Sequence, residues 1–124
     1  MNNKIKILAI SGAVREKSKT AKLSKISRKY FDQPNVEYIL FDLQKNPLPI
    51  FDQTEKNLKS ENVQLLLRHA RKADGYVLIS PEYHGSMSGA IKNALDWMDY
   101  LEDIDYFHGK VVGIMGGGGS LGNS

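Results

Sequence analysis

The sequence predicts an α/β protein built on a doubly wound parallel sheet, with helices on both faces. Three observations carry that expectation. Short, nearly continuous apolar runs alternate with longer segments of helical period, as buried parallel strands and their crossover helices do. Three of those runs end in Ser-Gly, Ser-Pro or a run of glycines, which are turn signals rather than strand continuations. The composition, 41% hydrophobic and 25% charged over 124 residues, is that of one globular domain with one core.

The elements follow in order. Ile5 to Ile10 is a buried strand that ends at Ser11-Gly12. Ser18 to Phe31 has Leu23, Ile26, Tyr30 and Phe31 at helical spacing, with lysines elsewhere, and Pro34-Asn35 stops it. Val36 to Phe41 is the second strand, followed by a loop marked by Pro47 and Pro49 that runs through Phe51-Asp52. Ser60 to Lys72 is a helix with Val63, Leu66, Leu67 and Ala70 on one face. Tyr76 to Ile79 is a third strand, closed by Ser80-Pro81. Ser88 to Tyr100 is a third helix, and Val111 to Met115 a fourth strand that enters Gly116-Gly117-Gly118-Gly119. No internal repeat, linker or second domain interrupts the alternation, so residues 1–124 read as one domain.

Charge and composition narrow the function classes. The net charge of +3 suits an anionic ligand, but it is too mild to imply nucleic acid. The absence of cysteine excludes disulfides, thiolate nucleophiles and cysteine-ligated metals. No apolar run approaches the ~20 residues needed to span a bilayer. The N-terminus lacks the pattern of a signal peptide, so the expected setting is cytoplasmic and free of membrane.

In a doubly wound sheet the ligand lies beyond the carboxyl ends of the strands, where strand order reverses. The chemically unusual carboxyl ends here follow the first, third and fourth strands. The first loop offers hydroxyls at Ser11, Ser18 and Thr20, a cation at Arg15 and the free amides of a helix start. These groups suit a phosphate. The same residues would also serve as a plain N-cap and a solvated basic surface, so the loop alone leaves both readings open. It is not a P-loop, because Glu16 rather than glycine precedes Lys17-Ser18. Nor is it a dinucleotide fingerprint, since Gly12 is its one glycine. The formal G-x-G-x-x-G at Gly117, Gly119 and Gly122 has no helix after it and is read as chance.

Pro81-Glu82-Tyr83-His84-Gly85-Ser86-Met87-Ser88-Gly89-Ala90-Ile91-Lys92-Asn93-Ala94-Leu95-Asp96-Trp97 is the most distinctive stretch. Tyr83 offers a flat face, the amides around His84 and Gly85 could meet a polar ring edge, and Ser88 caps the helix. An isoalloxazine needs such a plane and such donors. The stretch resembles the NADPH-dependent FMN reductase family, whose azoreductase, quinone reductase and chromate reductase members carry P-E-Y-N-x-S-x-P-G-x-L-K-N-A-x-D-W after strand three. The matches are Pro81, Glu82, Tyr83, Ser86, Gly89, Lys92, Asn93, Ala94, Asp96 and Trp97; His84 stands at the usual Asn, and Ser88 at the usual Pro. In the first loop Gly12, Arg15 and Ser18 match the family's G-S-x-R-x-x-S-x-N, while Ala13 and Thr20 replace its second Ser and its Asn.

The resemblance implies a flavodoxin-like three-layer α/β/α fold with strand order 2-1-3-4. It implies FMN, reduced by NADPH or NADH and reoxidised by a small acceptor such as a quinone, azo compound, oxyanion or flavin. Ser11, Arg15, Ser18 and Thr20 would hold the phosphate. Pro81, Glu82, Tyr83, His84 and Gly85 would line the ring, with Gly116 and Gly117 completing the pocket. No side chain is required as a catalytic residue, and no metal is expected. His69 and His108 read as surface histidines, Lys92 and Asp96 as an i,i+4 pair, and Trp97 as core or interface. A homodimer or tetramer is implied, with Trp97, Met98, Tyr100 and Leu101 as candidate contact surface. The alternatives are a non-catalytic electron carrier and an inactive remnant. The family also continues with a further helix and a fifth strand. The sequence therefore reads as C-terminally short, with Val111 to Met115 at a sheet edge and weak flavin loading expected of the isolated chain.

Overall fold

A computed structural model of the chain describes residues 4–13, 19–83, 86–101 and 110–117. Its centre is β1 (Ile5–Ser11), which pairs in parallel with β2 (Val36–Asp42) on one side and with β3 (Gly75–Tyr83) on the other. β5 (Val111–Gly117) lies parallel to β3 beyond it. The parallel strands thus stand in the order β2-β1-β3-β5, the predicted 2-1-3-4 arrangement once the two-residue β4 (Ser86–Met87) is set aside. β4 pairs antiparallel with the far end of β3, Glu82 with Met87 and Tyr83 with Ser86. The third strand therefore does not stop at Ser80-Pro81. It continues to Tyr83 because the chain folds back on itself and supplies a pairing partner there.

Side chains alternate across the sheet. Leu8 and Ile10 of β1, with Tyr76 and Leu78 of β3, face α3 (Glu61–Lys72) and α4 (Gly89–Trp97). The four apolar residues expected on one face of α3 are all buried. Ser60 caps that helix by accepting from the Val63 amide at 3.4 Å. A 3₁₀ turn (Met98–Leu101) extends α4 in place of its last expected α-helical residues, and Trp97 and Met98 sit fully inside the core. These two therefore offer no surface to a partner. A short helix, α2 (Glu55–Leu58), occupies the segment read as loop, capped by Thr54.

The other face of the sheet differs from expectation. α1 (Lys19–Tyr30) covers Ala9, Val77 and Ile79, but it turns Thr20, Ser24 and Ser27 inward. Ile26 and Tyr30, expected to face the core, are 57% and 72% exposed. Leu23 and Phe31 pack at the margin. Small hydroxyl residues let the helix axis lie close to the sheet. Ser24 and Ser27 satisfy their own polar atoms by donating to the carbonyls of Thr20 and Ser24 at 2.9 and 2.8 Å. β5 forms the edge of the described sheet, with Val111 and Ile114 79% and 75% exposed.

Candidate functional site

The carboxyl ends of β1, β3 and β5 come together as the sequence requires. Ser11 lies beside Ile79, Ser80 beside Gly116, and Pro81 beside Gly117. β1 and β3 are also where strand order reverses, since the chain passes from β1 outward to β2 and returns on β1's other side.

The first loop leaves this crevice through a tight passage. The Gly12 amide donates to the Ile79 carbonyl at 2.8 Å, and the Leu43 amide donates to the Ser11 carbonyl at 3.1 Å. A Cβ on Gly12 would stand 2.7 Å from Ile91 Cγ1 and 2.9 Å from Ser88 Oγ, so glycine is demanded by the approach of α4. Ser11 is 1% exposed; its hydroxyl lies at hydrogen-bond distance, 2.7 Å, from Ser24 Oγ and accepts from the Ala13 amide at 3.4 Å. From Ser24 the polar contacts run down α1 to Ser27, whose hydroxyl meets the Tyr38 hydroxyl. Burial pushes the Tyr38 phenol up, opposed by its bond to Ser27 and by Arg28 over its ring. Ser24 and Ser27 were not among the residues singled out from sequence. A Ser-x-x-Ser step on a helix is too common to mark a polar face.

Thr20 stands in the first turn of α1 and is 2% exposed. Its carbonyl accepts from Ser24, while its hydroxyl makes no hydrogen bond with any described residue. A buried hydroxyl without a partner is uncommon and calls for a ligand or a water. Arg15 and Ser18, the other residues assigned to the first loop, lie outside the described residues, as do His84 and Gly85. Pro81, Glu82 and Tyr83 are placed by their backbone at the end of β3, where the hairpin with β4 begins. Among the described residues, a Cβ on Gly116 would meet only the Ser80 carbonyl, at an ordinary 3.9 Å.

The helical half of the distinctive stretch turns out to be scaffolding. Asn93 Oδ1 accepts from the Phe51 amide at 2.8 Å, and its Nδ2 donates to the Pro49 carbonyl at 3.0 Å. One turn further, Trp97 Nε1 donates to the same carbonyl at 2.7 Å, with its ring edge-on to Phe51 at 5.0 Å. Together they fasten the loop after β2 to α4. Lys92 and Asp96 form the expected exposed pair at 2.6 Å. His69 is half-buried at the other end of the sheet, in a shallow cleft with Lys6, Glu37, Arg68 and Lys72. Burial, then Arg68 and Lys72, pulls its pKa down.

The chain is similar to known proteins in sequence and in fold. The chain is 37% identical over 121 residues to an FMN-dependent NADPH-azoreductase of Staphylococcus saprophyticus, covering 94% of this chain and 62% of that protein. It is 34% identical over 126 residues to the Staphylococcus aureus protein of the same name, with the same two coverages. The chain therefore spans a little under two thirds of the length of these curated relatives. Among solved structures, FerB, a flavoenzyme NAD(P)H:(acceptor) oxidoreductase from Paracoccus denitrificans, superposes with a TM-score of 0.74 at 28% identity, over 90% of this chain and 60% of that one. An azoreductase from Bacillus anthracis shares the fold with a TM-score of 0.67 at 20% identity, over 94% of this chain and 70% of that one. The sequence model of one family, described as NADPH-dependent FMN reductase, matches residues 5–124, all but the first four residues, and the chain belongs to that family.

Proposed function

We propose that the chain holds FMN beyond the carboxyl ends of β1, β3 and β5, and that the protein uses it to pass electrons from NADPH or NADH to a small acceptor. Family membership supports the reaction class. The observation that carries the site is Thr20, a buried hydroxyl in the first turn of α1 without a described partner. A phosphate oxygen is the ligand that this hydroxyl and the adjoining helix start would satisfy together. On this reading Arg15, Ser18 and Thr20 bind the phosphate, and Ser11, locked to Ser24, fixes the loop behind them. Pro81, Glu82, Tyr83, His84 and Gly85 line the ring, and Gly116 and Gly117 complete the pocket.

When bound, FMN supplies hydride acceptance and release; the protein binds it, orients it and shapes the field around its polar edge. No side chain is assigned a catalytic role. The acceptor belongs to the class of azo compounds, quinones, oxyanions and flavins, and the relatives' names favour the first. A homodimer or tetramer in the cytoplasm is the setting proposed, and no helix among the described residues is long and apolar enough to cross a membrane. Mixing the FMN-loaded chain with NADPH in a stopped-flow spectrometer tests the reading. Bleaching of the flavin band, with ping-pong turnover when a quinone or azo dye is added, is the expected result. A flavin that stays oxidised with both nicotinamides would make the protein a carrier instead.

A further inference from the structure

The cleft beside His69 lies at the end of the sheet opposite the crevice described above, between the C-terminal half of α3 and the amino ends of β1 and β2. Strand register builds its floor. Lys6 and Leu8 of β1 stand beside Glu37 and Ile39 of β2, and residues two apart share a face of the sheet. Leu8 and Ile39 belong to the apolar layer under α3, so the floor is hydrocarbon. α3 sets Arg68, His69 and Lys72 over it. The cleft holds about 150 Å³, enough for a group the size of a benzene ring.

Its charges do not balance. Glu37 is the one carboxylate in the lining, and it faces Lys6 in the register as an opposite-charge cross-strand pair. Asp74 adjoins the cleft, but its carboxylate accepts from the Lys6 amide at 2.9 Å. Arg68 and Lys72 have no ion-pair partner among the described residues. They stand one helical turn apart, a spacing at which like charges repel. The helix dipole favours Lys72, in the last turn of α3, but Arg68 precedes that turn.

We propose that this cleft is a second ligand site that takes a small aryl carboxylate, its ring on the apolar floor and its carboxylate between Arg68 and Lys72. The planar guanidinium matches a carboxylate fork, and the hydrocarbon below suits a ring better than a hydrated ion. The site does not depend on the flavin reading. It also links binding to protons. Arg68 and Lys72 help to hold the His69 imidazole neutral, against Glu37. A carboxylate between them cancels that influence, so His69 takes up a proton more readily when the site is filled.

Benzoate is the probe, with benzamide as the same ring without the charge and inorganic phosphate as a charge without the ring. The whole chain is titrated at low salt, where exposed charges are least screened. The His69 imidazole resonance, identified by its loss in His69→Gln, reports binding. Benzoate should shift it saturably and raise its pKa, and should bind more tightly below that pKa than above it. Benzamide should leave the resonance in place, and phosphate should bind more weakly than benzoate. Arg68→Gln, an exposed change that spares the fold, should weaken benzoate about five-fold, as should Lys72→Gln. The Arg15→Ala/Ser18→Ala double variant should bind benzoate like the wild type. No saturable shift would overturn the proposal. So would phosphate binding as well as benzoate, which would reduce the cleft to a basic surface, or benzoate affinity that survives both α3 variants and falls in the first-loop variant.

Discussion

The two faces of the central sheet are made from the same strands but are packed in different ways. Against α3 and α4 the sheet presents Leu8, Ile10, Tyr76 and Leu78, which meet Val63, Leu66, Ile91, Trp97 and Met98 in a dense apolar layer. Against α1 it presents Ala9, Val77 and Ile79, and the helix answers with Thr20, Ser24 and Ser27. The first face excludes water and carries most of the buried apolar area. The second trades area for a row of hydroxyls that ends at Ser11, under the first loop. On the proposed function, stability and binding are divided between the faces, and substitutions should separate them.

The largest effect belongs to the apolar face. Trp97→Ala removes a fully buried indole and one of the two side-chain hydrogen bonds to the Pro49 carbonyl, leaving that of Asn93. It should cost ~3–5 kcal/mol of stability, read by thermal or denaturant unfolding. On the hydroxyl face, Ser24→Ala should cost only ~1 kcal/mol of stability. Its signature should instead be weaker FMN binding, since Ser11, whose hydroxyl holds the Ala13 amide, loses its own anchor. If Ser24→Ala destabilised the fold as much as Trp97→Ala, the division between the faces would be wrong.

The sequence revealed one face better than the other, and the reason is physical. Periodicity of apolar residues found α3, because Val63, Leu66, Leu67 and Ala70 are buried for the reason the pattern assumes, transfer of hydrocarbon out of water. It misassigned the inner face of α1, because a serine that bonds back to its own helix is buried for its small size and satisfied oxygen. The strand order was legible from the alternation and the resemblance together. β4 was not, since two residues, Ser86 and Met87, carry no period. The crevice was marked by Ser11-Gly12, Ser80-Pro81 and Gly116, where apolar runs end in turn residues. The work of Asn93 and Trp97 could not be read, because their partners lie 42 to 48 positions away.

The smallest effect lies far from both the site and the hydroxyl row. Burial, then Arg68 and Lys72, lowers the His69 pKa from 6.5, against the pull of Glu37. The unfolded chain then takes up the proton more readily than the folded one. Stability should be fully present above pH 6.5 and fall slightly as the pH drops below it, levelling off beneath the folded pKa. His69→Gln should flatten that part of the profile, measured by denaturant midpoints across the pH range, and leave FMN affinity unchanged. A change in affinity would tie this cleft to the site at the opposite end of the sheet.

FMN titration of the chain and of its Arg15→Ala/Ser18→Ala double variant tests the central claim most directly. Flavin fluorescence quenching reads the affinity, and unfolding of the apo forms shows whether the fold is unaltered. With the phosphate seated on the first loop, the double variant should bind FMN ~2–4 kcal/mol more weakly, the worth of one charged and one neutral hydrogen bond. Its riboflavin affinity should not change. Equal FMN affinity in the two proteins would contradict the assignment of the first loop as the phosphate site.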